Sequence, residues 1–169
     1  MFLKESTRPN LIIIGPPGSG KTTICQYLSK KYQYRLENLT NYQNQGLKPI
    51  VYDGLNLEML QQIQDQLIIE LQISDQNAIK RLQKRQHCLK CNQVYQKTSQ
   101  SFRCWNDQQP LIQIAADQLA TINRRLKDYR QNHQPEINKL KERIIINADL
   151  PFSQLCQIID LWIKHFLKN

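Results

Sequence analysis

Residues 11–22, LIIIGPPGSGKT, constrain this chain more than any other stretch. Four apolar residues, Leu11, Ile12, Ile13 and Ile14, run into the pattern G-x-x-x-x-G-K-[ST]. Apolar positions at helical spacing (Ile24, Tyr27, Leu28) follow at once. Strand, glycine loop and helix in that order make the pattern a phosphate-binding loop. Gly15, Gly18 and Gly20 let the backbone turn so that successive N–H groups face one anion, and the helix start adds the positive end of its dipole. Lys21 then reaches the β- and γ-phosphates of a nucleoside triphosphate, and the Thr22 hydroxyl holds Mg2+. Gly15, Gly18, Ser19, Gly20, Lys21, Thr22 and Thr23 are the candidate ATP-binding residues.

The rest of the chain supports an α/β reading. Segment 34–39 is expected as an extended strand, and 40–48 as a polar loop containing Gly46. The run 49–54, PIVYDG, reads as a short buried strand ending on Asp53. An acid there is placed to organise Mg2+ beside the loop, although an Asp-Gly pair also suits a plain turn. Leu55, Met59, Leu60 and Ile63 give a short amphipathic helix, residues 67–73 a strand, and Ser74 caps a helix over 76–86. Strand–helix alternation of this kind implies parallel strands joined by right-handed crossovers, with ligands at their carboxyl ends. The expected fold is therefore a three-layer α/β/α P-loop NTPase. In the 76–86 helix, Arg81 and Arg85 stand four apart and would share one face, open to a phosphate or simply to solvent.

Cysteines supply the second signal. Cys88-x-x-Cys91 and Cys104-x-x-Asp107 are two knuckles whose spacing suits one tetrahedral Zn2+, in a segment too small to hold itself together otherwise. His87 adjoins them and is an alternative fourth ligand to Asp107; unligated thiols are the plain alternative to a metal. Cys25 and Cys156 fall on apolar helical faces and read as packing residues. Beyond Pro110, a helix with Ala115, Leu119, Ile122, Leu126 and Tyr129 on one face is expected. A short helix from Pro135 and a buried strand over 143–147 come next. The last helix has a core stripe of Leu155, Ile158, Ile159, Trp162, Ile163 and Phe166.

The formal net charge of +9 fits either a nucleic-acid partner or a cationic site for a polyphosphate. Basic residues are dispersed and no block reads as a tail, so charge alone does not choose. Tyr95, Phe102 and Trp105 near the cysteines offer stacking surfaces for the nucleic-acid reading, the less expected of the two. No apolar run reaches the ~18 residues of a membrane span. With no signal-like apolar region at the start, the chain is expected in the cytoplasm.

Taken in order, GPPGSGKTT, a strand ending Asp-Gly, R-L-x-x-R-x-x-C-x-x-C, C-x-x-D and T-x-x-x-R-L resemble an adenylate kinase. The closest variety is the one whose lid carries a Cys3Asp zinc site, and the likeness runs from about Leu11 to the C-terminus. The resemblance implies a core domain at 1–86 and 112–169 and a small zinc-bound β lid at 87–111 that closes over ATP. It implies that Arg81 and Arg85 contact ATP at the lid hinge, and that Arg125 stabilises the transferring phosphoryl group. Asp117 matches a lid acid that pairs with such arginines, and a monomer is the expected state. Lys21, Asp53, Arg81, Arg85 and Arg125 are then the catalytic candidates, while Cys88, Cys91, Cys104 and Asp107 hold zinc.

The chain also departs from that pattern. The region between the first helix and the Asp-Gly strand, where the family holds its nucleoside monophosphate, shrinks to a remnant at 33–48. Leu57 stands where the family has the arginine that clamps the acceptor phosphate, and Ile114 stands where a second lid arginine is expected. The ATP half is kept and the usual acceptor half is not. Phosphoryl transfer to a nucleotide-like acceptor at an atypical site is the function expected, with Arg35, Glu37, Tyr42 and Lys48 as candidate acceptor residues. An ATP-binding pseudokinase or nucleotide-dependent regulator is the alternative.

Overall fold

The computed structural model describes residues 9–38, 50–53, 66–97 and 102–166. The expected helix of Leu55, Met59, Leu60 and Ile63 lies outside the described residues, as do Leu57, Tyr42, Lys48 and the 40–48 loop.

Five strands form one parallel sheet: β1 Asn10–Ile14, β2 Arg35–Asn38, β3 Ile50–Asp53, β4 Gln66–Gln72 and β7 Ile144–Asn147, in the spatial order β2-β3-β1-β4-β7. A strand covered on both faces reads as a near-continuous apolar run, and Leu11, Ile12, Ile13 and Ile14 are all fully buried. That run can only be the middle of the sheet, with β3 and β4 as its neighbours. Helix α1, Lys21–Tyr32, packs Ile24, Cys25 and Leu28 on one face of the sheet. The C-terminal helix, Phe152–Phe166, adds Leu155, Cys156, Ile159 and Ile163 to the same core. Asp160 of that helix accepts hydrogen bonds from Tyr27, Tyr32 and Lys31, fastening it to the far end of α1.

The opposite face carries a residue that hydropathy misses. Glu70, in the middle of β4, is fully buried. Its carboxylate accepts from Gln72 and Gln134 at 3.0 Å each and from Arg143 Nε at 2.6 Å. Burial pushes this carboxyl up, but the bonds from Gln134, Gln72 and Arg143 outweigh burial and hold it below the ordinary range.

Ser74 caps α2, Asp75–Gln83, through a bond from the Asn77 N–H, as expected. The helix then stops three residues short of the expected end. Lys84 is its C-cap, and Arg85 opens β5, Arg85–His87, paired antiparallel with β6, Val94–Gln96. Arg81 and Arg85 therefore do not share a helical face, because the ladder to Gln96 takes Arg85 out of the helix. After the lobe built on β5 and β6, a 3-10 turn Ala115–Asp117 leads into α3, Leu119–Asp128. Ile122, Leu126 and Tyr129 are buried as expected, but Leu119 is exposed, and Ala115 precedes the helix. A π turn, Tyr129–His133, joins α3 to the short helix α4, Gln134–Asn138, which has Pro135 in its first turn. The Phe152–Phe166 helix is α5.

Two apolar expectations are corrected. β7 is an edge strand, so only Ile146 is buried while Ile145 faces outward. Trp162 and Phe166 are each 41% exposed and stack on one another at the rim of α5; they are not core residues.

A folded-state pKa held low contributes stability above the ordinary carboxylate range and loses it as pH falls through the folded value. Glu70→Gln is expected to leave Arg143 half-sequestered without its anion and to cost about 3 kcal/mol. Denaturant unfolding from pH 7 down to pH 3 checks this. The difference between parent and variant should shrink as the parent's Glu70 becomes protonated.

Candidate functional site

The glycine loop follows β1 at the carboxyl end of the sheet, where the chain first leaves for β2 on one side and later returns to β4 on the other. Such a switch point is where open α/β sheets place ligands. Gly18 adopts φ 84° and lies so near α2 that a Cβ would sit 2.9 Å from the Ala78 carbonyl oxygen. Gly20 adopts φ 93° and caps α1 with no side chain, and a Cβ there would meet nothing within 4 Å. The loop is thus pinned from behind and open in front. The first turn of α1 carries neither an acid nor a side-chain cap, so no local carboxylate offsets the positive end of its dipole.

Lys21 folds back over this opening, its Nζ donating to the carbonyls of Gly15 at 2.8 Å and Pro16 at 3.0 Å. Ser19 Oγ is buried with no hydrogen-bond partner among the described residues. A buried hydroxyl without a partner is costly, and a bound anion would satisfy it. Thr22 lies in the first turn of α1, and Asp53 ends β3, in register with Ile13 of the neighbouring β1.

The arginines meet the core separately. Arg81 donates to the Ala148 carbonyl at 2.7 Å, joining α2 to the turn after β7. Beside it, Asp149 accepts from the Ser74 N–H and hydroxyl and from the Asn77 amide. Arg85 makes a two-pronged pair with Asp117, Nε to Oδ2 at 2.7 Å. Arg125 donates to the Ala116 carbonyl at 3.2 Å. Arg85 and Arg125 therefore converge on one 3-10 turn, and Arg81 reaches the other side of the site.

Asp117 itself is fully buried and also contacts His87 Nε2 at 2.8 Å. Burial raises its carboxyl pKa, but the bonds to Arg85 and His87 outweigh this and lower it overall. His87 is thereby turned away from the cysteines. Asp117 is the residue whose burial the sequence did not announce; its spacing from Arg125 was the available signal.

Two matching turns build the cysteine cluster. The Asn92 N–H donates to the Cys88 carbonyl, and the Gln108 N–H to the Cys104 carbonyl, each at 2.9 Å. Asn92 and Gln108 have φ of 57° and 59°, so both knuckles close on a left-handed residue four positions after the first ligand. The ligand atoms of Cys88, Cys91, Cys104 and Asp107 lie within 4.8 Å of one another. Cys91 and Cys104 Sγ are 3.4 Å apart, and Cys88 Sγ is 3.2 Å from an Asp107 oxygen. A tetrahedral zinc with Zn–S bonds near 2.3 Å needs sulfurs about 3.7 Å apart, so this donor set fits with small adjustments. Among the described residues the lobe buries Cys88, Cys104 and Leu111 around it, too little to fold on apolar packing alone.

No family model matches the chain. Among curated proteins, it is 28% identical to an adenylate kinase of Malacoplasma penetrans, over 92% of this chain and 96% of that one. An adenylate kinase of Chlamydia abortus is 26% identical over 78% and 84% of the two chains. One of Wolbachia pipientis is 24% identical over 89% and 95%. The Malacoplasma alignment spans 207 positions but takes in only 92% of the 169 residues here, so about 50 positions of the relative have no counterpart in this chain.

Metal removal tests the cluster. Treatment with a strong chelator, or Cys104→Ala, is expected to abolish amide-exchange protection at 87–96 and 103–112 while β1 and β4 keep theirs. Protection of the lobe that survives both changes would remove the metal from its account.

Proposed function

We propose that this chain, similar over most of its length to several adenylate kinases, is a member of that family and transfers the γ-phosphate of ATP to a nucleotide-like acceptor held in an atypical site. The observation that carries this reading is the loop: a glycine cradle open at Gly20, an uncapped α1 and a lysine resting on the loop's own carbonyls. An arriving triphosphate would exchange those carbonyls for phosphate oxygens on Lys21 and give the Ser19 hydroxyl its missing partner. Gly15, Gly18, Ser19, Gly20, Lys21, Thr22 and Thr23 bind the phosphates. Thr22 and Asp53 would hold Mg2+, whose charge, when bound, offsets that building on the phosphates. The protein forms no covalent intermediate; it positions and stabilises charge.

Residues 87–111 form the lid in this reading, and 1–86 with 112–169 the core. Arg81, Arg85 and Arg125 enter the site when the lid closes, and closure keeps water from competing with the acceptor. Arg85 is held beforehand by Asp117, so its guanidinium is orientated before substrate arrives. Zinc at Cys88, Cys91, Cys104 and Asp107 has all four positions filled by protein and is structural.

The acceptor side differs from the family. About 50 positions of the Malacoplasma relative are absent here, and Leu57 and Ile114 replace the expected arginines. Each lost guanidinium–phosphate contact removes a charge-assisted, two-pronged bond. AMP at a standard site is therefore not the acceptor we propose. The same losses favour one second reading, an ATP-binding regulator that closes its lid without transferring phosphate.

Turnover of Mg·ATP against a panel of nucleoside mono- and diphosphates and nucleosides separates the two. We expect phosphoryl transfer to at least one acceptor, and Lys21→Ala is expected to lower kcat by ~10²–10³-fold. Tight ATP binding with no transfer to any member of the panel would establish the regulator instead.

A further inference from the structure

Tyr95 stands over the cysteine cluster, on the middle residue of β6. Its hydroxyl lies 3.1 Å from Cys104 Sγ, and its ring packs edge-on against Trp105 at 6.2 Å between centroids. The hydroxyl comes to this sulfur from outside the knuckle turn that carries Cys104. β5 and β6 put it there: Tyr95 pairs with Gln86, two residues before Cys88, so the hairpin carries the ring across to the second knuckle.

The electrostatics say why such a donor matters. Three thiolates and a carboxylate around one divalent ion leave the site with a net charge of about −2, inside a lobe whose core is three side chains. A hydroxyl donated to a thiolate spreads part of that charge and fixes the sulfur's direction, which is what partners outside the ligand sphere do in metal sites. As a donor, Tyr95 suits a metal-bound thiolate; toward a neutral thiol it has little to offer.

We propose that Tyr95 is a positioning residue of the metal centre, donating its hydroxyl proton to the Cys104 thiolate and setting the site's affinity for a thiophilic divalent cation. This rests on the metal reading of Cys88, Cys91, Cys104 and Asp107 given above. The role is specific to the hydroxyl and independent of the ring, which serves packing.

The test uses the full chain with two substitutions and two metals. Tyr95→Phe keeps the ring against Trp105 and removes the donor; Trp105→Phe disturbs the ring contact and keeps the donor. Zinc affinity is measured by competition with a chromophoric chelator, and the site is watched through the sulfur-to-cobalt absorption of the Co2+-loaded chain. Tyr95→Phe is expected to weaken zinc binding about tenfold. It should also move the cobalt band to lower energy, because an unbonded thiolate gives up charge more readily. Trp105→Phe is expected to change neither. Unchanged affinity and band in Tyr95→Phe, or equal effects from both substitutions, would overturn the proposal. Failure of the unsubstituted chain to take up either metal would instead remove the metal reading itself.

Discussion

The structure depends on the start of α1, whose first-turn backbone N–H groups receive no bond from a capping side chain. Helix ends ordinarily satisfy those groups with a capping side chain, and here the cap is glycine. An open positive end of this kind is tolerable only on a rigid support. β1 gives that support from below, buried on both faces between β3 and β4. α2 gives it from behind, where Gly18 meets the Ala78 backbone. At the other end of α1, Tyr27, Lys31 and Tyr32 bind Asp160 and tie the helix to α5. The loop is a fixed reference against which other parts of the site can move.

What was legible in the sequence follows from how each feature encodes itself. Backbone chemistry with strict geometric needs left plain marks: the glycines of the loop, the Ser74 cap and the paired knuckles were all readable at their positions. Burial on both faces was equally plain, since only an unbroken apolar run such as 11–14 satisfies it. Boundaries set by a competing partner were not. α2 ends at Gln83 because Arg85 has a strand to pair with, and nothing in the local spacing reveals Gln96. Glu70 was invisible for a related reason. A carboxylate at an interior position reads as exposed until Gln72, Gln134 and Arg143 converge on it from three separate segments. Trp162 and Phe166 failed in the opposite sense, since helical spacing says which residues share a face but not how far the neighbouring layer extends.

Of the candidate site, the phosphate half was the readable half because it is contiguous in sequence. Arg81 and Arg85 were identified by spacing and Arg125 by resemblance, which also gave Asp117 as a partner for such arginines; the carbonyls of Ala148 and Ala116, which Arg81 and Arg125 reach, were not foreseen. The contacts of Arg81 and Arg85 join segments far apart in the chain, while that of Arg125 reaches back nine residues. His87 was an open alternative for the metal, and its bond to Asp117 directs its Nε2 elsewhere. The four remaining ligands agree with the two-knuckle reading because both turns close in the same left-handed way.

Asp117 has one more implication. Arg85 and His87 are two residues apart on β5, and both are held by this single carboxylate, while Cys88 comes next along the chain. The proposed first metal ligand and the guanidinium proposed to meet phosphate thus hang from the same buried anchor. A lobe that comes apart at its cysteines would pull on that anchor, and a core that shifts at Asp117 would pull on the cysteines. If Cys88 holds metal and Arg85 meets phosphate as proposed, metal retention and readiness for nucleotide are linked through three residues of backbone.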